Sequence, residues 1–172
     1  TMSHSHLTNS YLNILNYKTK IINSIGAFNL NYLNIVGIKT FHDNCNGLKR
    51  GSNIIFLLKF DNVYICHLGD LGHIPPDYIL DKLKNIDVLF IPIGGHFTLN
   101  GNEAYDLCSF IQPKLIIPMH YKTNTLKMNL DDCKNFLIHM PVIEKINSNL
   151  LNINNISDDS LMKTILLKPP SI

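Results

Sequence analysis

Residues 63–73 read VYICHLGDLGH, an apolar run that ends in a glycine-rich turn carrying one carboxylate, Asp70. The run has the length and β-branched content of a strand. Gly69 and Gly72 remove side chains around the acid and let the backbone bend sharply there. A carboxylate at the C-terminal end of a strand, in such a turn, is well placed to serve a ligand. The plainer alternative is a turn aspartate that satisfies its own backbone. His73 lies three residues on and could add a polar group at the same mouth.

Working outward, Ser52–Phe60 (SNIIFLLKF) is a second apolar run, joined to Val63–Leu68 by Asp61-Asn62. Asx pairs tolerate the positive φ of a tight turn, so a hairpin is predicted. Leu33–Phe41 alternates weakly and reads as another strand. The first ten residues, TMSHSHLTNS, read as a loop, and Tyr11–Lys18 as a short helix. Downstream, helical spacing covers Pro75–Lys84, Asn102–Ile111 and Asn129–Met140. Between these lie a continuous apolar strand, Ile86–Pro92, and a shorter one, Leu115–Pro118; Thr164–Lys168 reads as a last strand. Apolar strands alternating with helices predict a helix-covered sheet, and the hairpin half makes it a mixed α/β sandwich.

The chain has 172 residues and 45% hydrophobic content, which predicts a single domain over 1–172. Its net charge of +2 is spread rather than clustered. That offers no electrostatic basis for nucleic acid or an anionic membrane, so neither is expected as a partner; a small-molecule substrate is. No apolar run approaches the ~18 residues of a membrane span. The four cysteines show no paired spacing and read as the reduced thiols of a cytoplasmic protein. Oligomeric state is not encoded in any pattern found.

Several turns carry imidazoles. His4 and His6 form an HxH pair; two residues apart on extended backbone, both rings can face one ion. His42 ends an apolar segment in FHDNCNG, and taken alone reads as an exposed loop histidine. His96 follows Gly94-Gly95 in IPIGGHFT, and His120 ends IIPMHY. Helix-covered sheets place ligands at one edge, so these turns can converge. Three imidazoles and a carboxylate are a borderline N/O set that suits zinc, with Mn, Fe or Ni as alternatives. Such a site keeps a position open for water and lowers that water's pKa to near ~7, which suits attack on a carbonyl or phosphoryl centre.

The set HSH, FHD, HLGDLGH, IPIGGHFT and IIPMHY resembles the metallo-β-lactamase fold hydrolases, specifically the small bacterial branch related to ascorbate-6-phosphate lactonase. The similarity runs from the first residues to about Tyr121. The resemblance implies a four-layer αββα sandwich with metals at one edge of the two sheets. It implies that His4, His6 and His42 hold the first metal, that Asp70 bridges two metals, and that His120 serves the second. Asp70 and His120 are thereby the catalytic candidates. His73 and His96 stand beside the metals rather than on them. The family's first motif is HxHxDH; here Thr8 and Asn9 replace its Asp and last His, side chains that can hydrogen-bond metal-bound water but bring no charge or imidazole to a metal. The expectation is one firmly held ion, with the second weak or absent, in a hydrolase of a small ester, lactone or phosphorylated metabolite. The replacements keep open a degenerate metal-binding or ligand-sensing protein without turnover. A nuclease, known on this fold, is disfavoured by the low charge. The family opens with several strands ahead of HxH, so an N-terminally incomplete first layer is also expected.

Overall fold

The computed structural model describes residues 20–124, 126–153 and 161–168. The hairpin at Asp61-Asn62 is present: β3 (Ser52–Phe60) and β4 (Val63–His67) pair antiparallel, and Asp61 takes a positive φ of 51°. Ahead of them β1 (Gly26–Leu30) and β2 (Leu33–Phe41) extend the antiparallel half. Beyond β4 the sheet turns parallel through β5 (Val88–Pro92), β6 (Leu115–Met119) and β8 (Lys163–Leu167), with β7 (Val142–Ile146) at the edge. Among the described residues these form one eight-stranded sheet, ordered β1-β2-β3-β4-β5-β6-β8-β7.

Adjacent strand residues point to opposite faces. Ile55, Cys66, Leu89, Ile91 and Ile116 face the helices and pack with Leu107 and Ile111 of α2 (Gly101–Ile111) and Phe136 of α3 (Lys134–Leu137). Each such buried aliphatic side chain contributes roughly 1.5–3 kcal/mol. Their neighbours Phe56, Val88, Leu115 and Ile117 form apolar clusters on the opposite face. The described residues thus supply a sheet and its helical layer, half of the four-layer sandwich expected. The helix α2 begins at a full capping box, in which Asn100 and Glu103 each accept from the other's backbone.

Two expected helices are shorter than their spacing suggested. Asn129–Met140 is helical only over Lys134–Leu137. Asp131 donates its N–H to Gly94 and its carbonyl accepts from Lys122, both at 2.8 Å, so this stretch is bonded to neighbouring loops instead. Pro75–Lys84 contains a one-turn α1 (Asp77–Leu80) and a 3-10 turn (Asp81–Leu83), ended by Asn85 at a positive φ of 60°. Tyr11–Lys18 lies outside the described residues.

The topology brings the ends of β2, β4, β5 and β6 and the start of β3 to one edge. Two buried polar side chains organise it. Asn53 is fully buried; its amide donates to Thr40 Oγ1 and the Leu68 carbonyl, both at 2.9 Å, and accepts from Asp70 N–H at 3.0 Å. Asp43 gathers the 42–51 loop: its carboxylate accepts from the backbone N–H groups of Cys45, Gly47, Lys49 and Arg50 at 2.7–3.0 Å. Burial opposes its charge, but the Cys45 thiol and those backbone donors outweigh it and hold the carboxyl well below the usual range. Close approaches complete the edge. An added Cβ at Gly72 would strike the His42 carbonyl, and one at Gly94 the His120 carbonyl.

Gly94→Ala is therefore expected to destabilise the protein by about 1–3 kcal/mol, read by chemical denaturation. Asp43→Asn should also lower the melting temperature at neutral pH. Because the folded-state pKa of Asp43 is depressed, its stabilisation is present above the unfolded carboxylate value of about 4 and fades as pH falls below it. The gap between wild type and variant should accordingly narrow from pH 7 to pH 3.

Candidate metal centre

His42 follows β2, and Asp70 follows β4 in the LGDLG turn. Their side chains meet with Nε2 and Oδ2 3.5 Å apart, at 8% and 15% exposure. Burial disfavours the imidazolium of His42, but the hydrogen bond and charge of Asp70, with backbone bonding at His42 and Phe97, outweigh it and raise its pKa above the ordinary value. The field that favours a proton here equally favours a metal cation between the two groups. Donors about 2.1 Å from a tetrahedral ion stand about 3.4 Å apart, so the observed spacing suits a shared metal.

His4 and His6, the other expected ligands of that ion, lie outside the described residues, as do Thr8 and Asn9. Among the described residues no three His, Cys, Asp or Glu side chains gather around a single point. His120 stands at the same sheet edge, directly after β6, with a positive φ of 53°. Its Nδ1 is buried and has no hydrogen-bond partner among the described residues. A buried imidazole nitrogen in that condition is a polar group awaiting a partner.

His73 and His96 have different surroundings. His73 Nε2 accepts from Phe41 N–H at 3.3 Å, which puts the ring proton on Nδ1, facing the Ile74 carbonyl at 3.0 Å. Both nitrogens are committed, so His73 braces the residue beside His42 and is no metal ligand. His96 is half-exposed, at a positive φ of 50°, with Nε2 3.5 Å from Asp131 Oδ1.

Other residues around the site have roles that the sequence did not assign. His67 ends β4, stacks on Phe90 with centroids 5.6 Å apart, and accepts from Gly69 N–H at 3.0 Å. Burial lowers its pKa against the pull of Asp70, which keeps the neutral acceptor form. Asn53 stands with Ser52 at the polar start of an apolar run, so nothing in the sequence marks it as a buried anchor. Phe97 and Arg50 stack, with the guanidinium carbon 5.2 Å from the ring centroid; nothing in sequence spacing couples them.

Comparison with known proteins meets this geometry. Residues 1–120 match the Beta-lactamase superfamily domain. A metal-dependent hydrolase of Thermococcus kodakarensis is 30% identical over 119 residues, which cover 64% of this chain and 53% of that protein. A solved Thermotoga maritima structure, a candidate Zn-dependent hydrolase of the metallo-beta-lactamase superfamily, superposes with a TM-score of 0.80 and 31% identity over 96% of this chain and 80% of its own. A candidate metal-dependent hydrolase from Parabacteroides distasonis shares the fold, with a TM-score of 0.63 and 16% identity over 96% of this chain and 73% of its own. The chain spans 32–53% of the length of the sequence relatives it matches. With a family match over 120 of its 172 residues and a structural counterpart over 96% of the chain, the protein belongs to the metallo-β-lactamase superfamily.

Proposed function

We propose that this protein is a metal-dependent hydrolase whose substrate is a small ester, lactone or phosphorylated metabolite. The observation that carries the reading is the meeting of His42 and Asp70, from separate turns, at a spacing suited to one ion. His4, His6 and His42 would hold the first metal; Asp70 and His120 would serve a second, weakly held one. Zinc suits the donor set best, with Mn, Fe or Ni as alternatives. When bound, the metal supplies Lewis acidity and lowers the pKa of water.

The chain's own residues do the rest. Asn53 fixes the turn that aims Asp70, and Asp70 can take a proton from water held beside it. The Gly51 carbonyl accepts from the His42 N–H and holds the backbone of that residue in place. The imidazole of His120, at the same edge, would carry a proton to or from the reacting group. The four cysteines are unpaired, and burial pushes the thiols of Cys66 and Cys108 up, which supports a reducing, cytoplasmic setting. A second reading, metal binding without turnover, is favoured by Thr8 and Asn9, which offer no charge or imidazole to a second ion.

Elemental analysis of purified protein should find metal. His42→Ala and Asp70→Ala should each weaken metal retention at least about 10-fold. Unchanged metal content in both variants would remove the site assignment. Wild type should hydrolyse at least one of a generic phosphodiester, lactone or thioester. If the double change Thr8→Asp, Asn9→His instead creates activity from an inactive wild type, the non-catalytic reading holds.

A further inference from the structure

Arg50 lies in the 42–51 loop that carries His42, and among the described residues no carboxylate pairs with it. It is tied there at both ends. Its N–H donates to Asp43 Oδ2 at 2.7 Å, and its neighbour Gly51 accepts from His42 N–H at 3.1 Å. Its guanidinium lies over the ring of Phe97, which belongs to the turn after β5. The main chain thus leads back to His42, and the side chain to the neighbouring turn at the same sheet edge. The adjacent acid does not consume the charge, because both Asp43 oxygens face backbone donors.

A guanidinium stacked on a ring keeps its N–H donors in its own plane, pointing outward past the ring. Those paired donors match two oxygens of a carboxylate or phosphate. The aromatic support also holds an otherwise flexible side chain in place. Lys49 and Lys39 are exposed as well, but Lys39 lies over Phe41 and offers only a compact point charge.

We propose that Arg50 is the anion-recognition residue of this site, so that the substrate carries a carboxylate or phosphate group gripped by the guanidinium while its scissile bond lies at His42 and Asp70. The proposal rests on the metal-hydrolase reading for the second half of that statement. The grip itself is tested apart from turnover.

The test is calorimetric titration of the purified protein with inorganic phosphate and, separately, with succinate. Wild type should bind at least one. Arg50→Ala should weaken that binding about 10-fold or more, and Arg50→Lys should recover only part of it, since the charge returns without the fork. Tighter phosphate binding assigns a phosphorylated substrate, tighter succinate a carboxylated one. Equal affinity in wild type and Arg50→Ala, or no binding of either anion to wild type, overturns the proposal. All three proteins should carry the same metal content. Failure of the metal reading would appear instead in His42→Ala, as metal content that does not change.

Discussion

A single buried amide, Asn53, sets the geometry on which the site depends. It occupies the start of β3, where two turns from neighbouring strands meet, and it is wholly removed from solvent. Its three hydrogen bonds connect β2 through Thr40, the end of the apolar run through Leu68, and the acidic turn through Asp70. A buried amide is tolerated only when its donors and acceptor are all engaged. Here satisfying Asn53 and aiming Asp70 are one requirement. Any shift of the turn that would turn Asp70 away from His42 also strands the amide. The cost of leaving one such group unmet is about 1–3 kcal/mol, a sizeable share of a small domain's stability.

The same economy appears in the close contacts of the edge. Gly72 lets the acidic turn lie against the backbone of His42, and Gly94 lets the turn after β5 lie against that of His120. Backbone bonds then join the turns: Gly72 N–H to Phe41, Leu99 N–H to Leu71, Asp131 N–H to Gly94. Four connections that are remote in sequence become one layer. Both His96 and His120 sit in left-handed backbone at the first bends of this layer, a conformation histidine adopts more readily than branched residues do. Such mild strain is held only where the surroundings over-determine it, as here.

Much of this was legible in advance. The β3–β4 hairpin followed from Asp61-Asn62, and β5, α2 and β6 followed from period and length, because each buries a continuous apolar face. β1 escaped notice because Gly26 and Asn29 weaken its pattern, and β7 because its central residues are exposed at the sheet edge. The last helix was over-extended because apolar spacing over 129–140 arises partly from loop residues that pack without helical backbone. At the site, Asp70 was marked by its glycine-rich turn, and His42 only by the family resemblance. Asn53, His67, Phe97 and Arg50 were not, because their roles come from contacts across strands and loops that spacing does not encode. The meeting of His4 and His6 with this pair lies outside the described residues.

The electrostatics of the edge favour a cation there. His42 and Asp70 are mostly removed from water, and a lone buried carboxylate is costly unless something positive stands beside it. Without a metal, that role falls to a proton on His42, which is why the imidazole's pKa rises against its own burial. A proton and a metal ion are then rivals for the same nitrogen. The carboxylate that strengthens the proton's hold strengthens the metal's more, since a divalent ion gains twice the charge interaction at similar distance. Asp43, one residue away, adds little to this balance because its own charge is spent on four backbone donors and a thiol. The two adjacent residues His42 and Asp43 therefore divide the work: one faces the centre, and the other holds the loop that carries it.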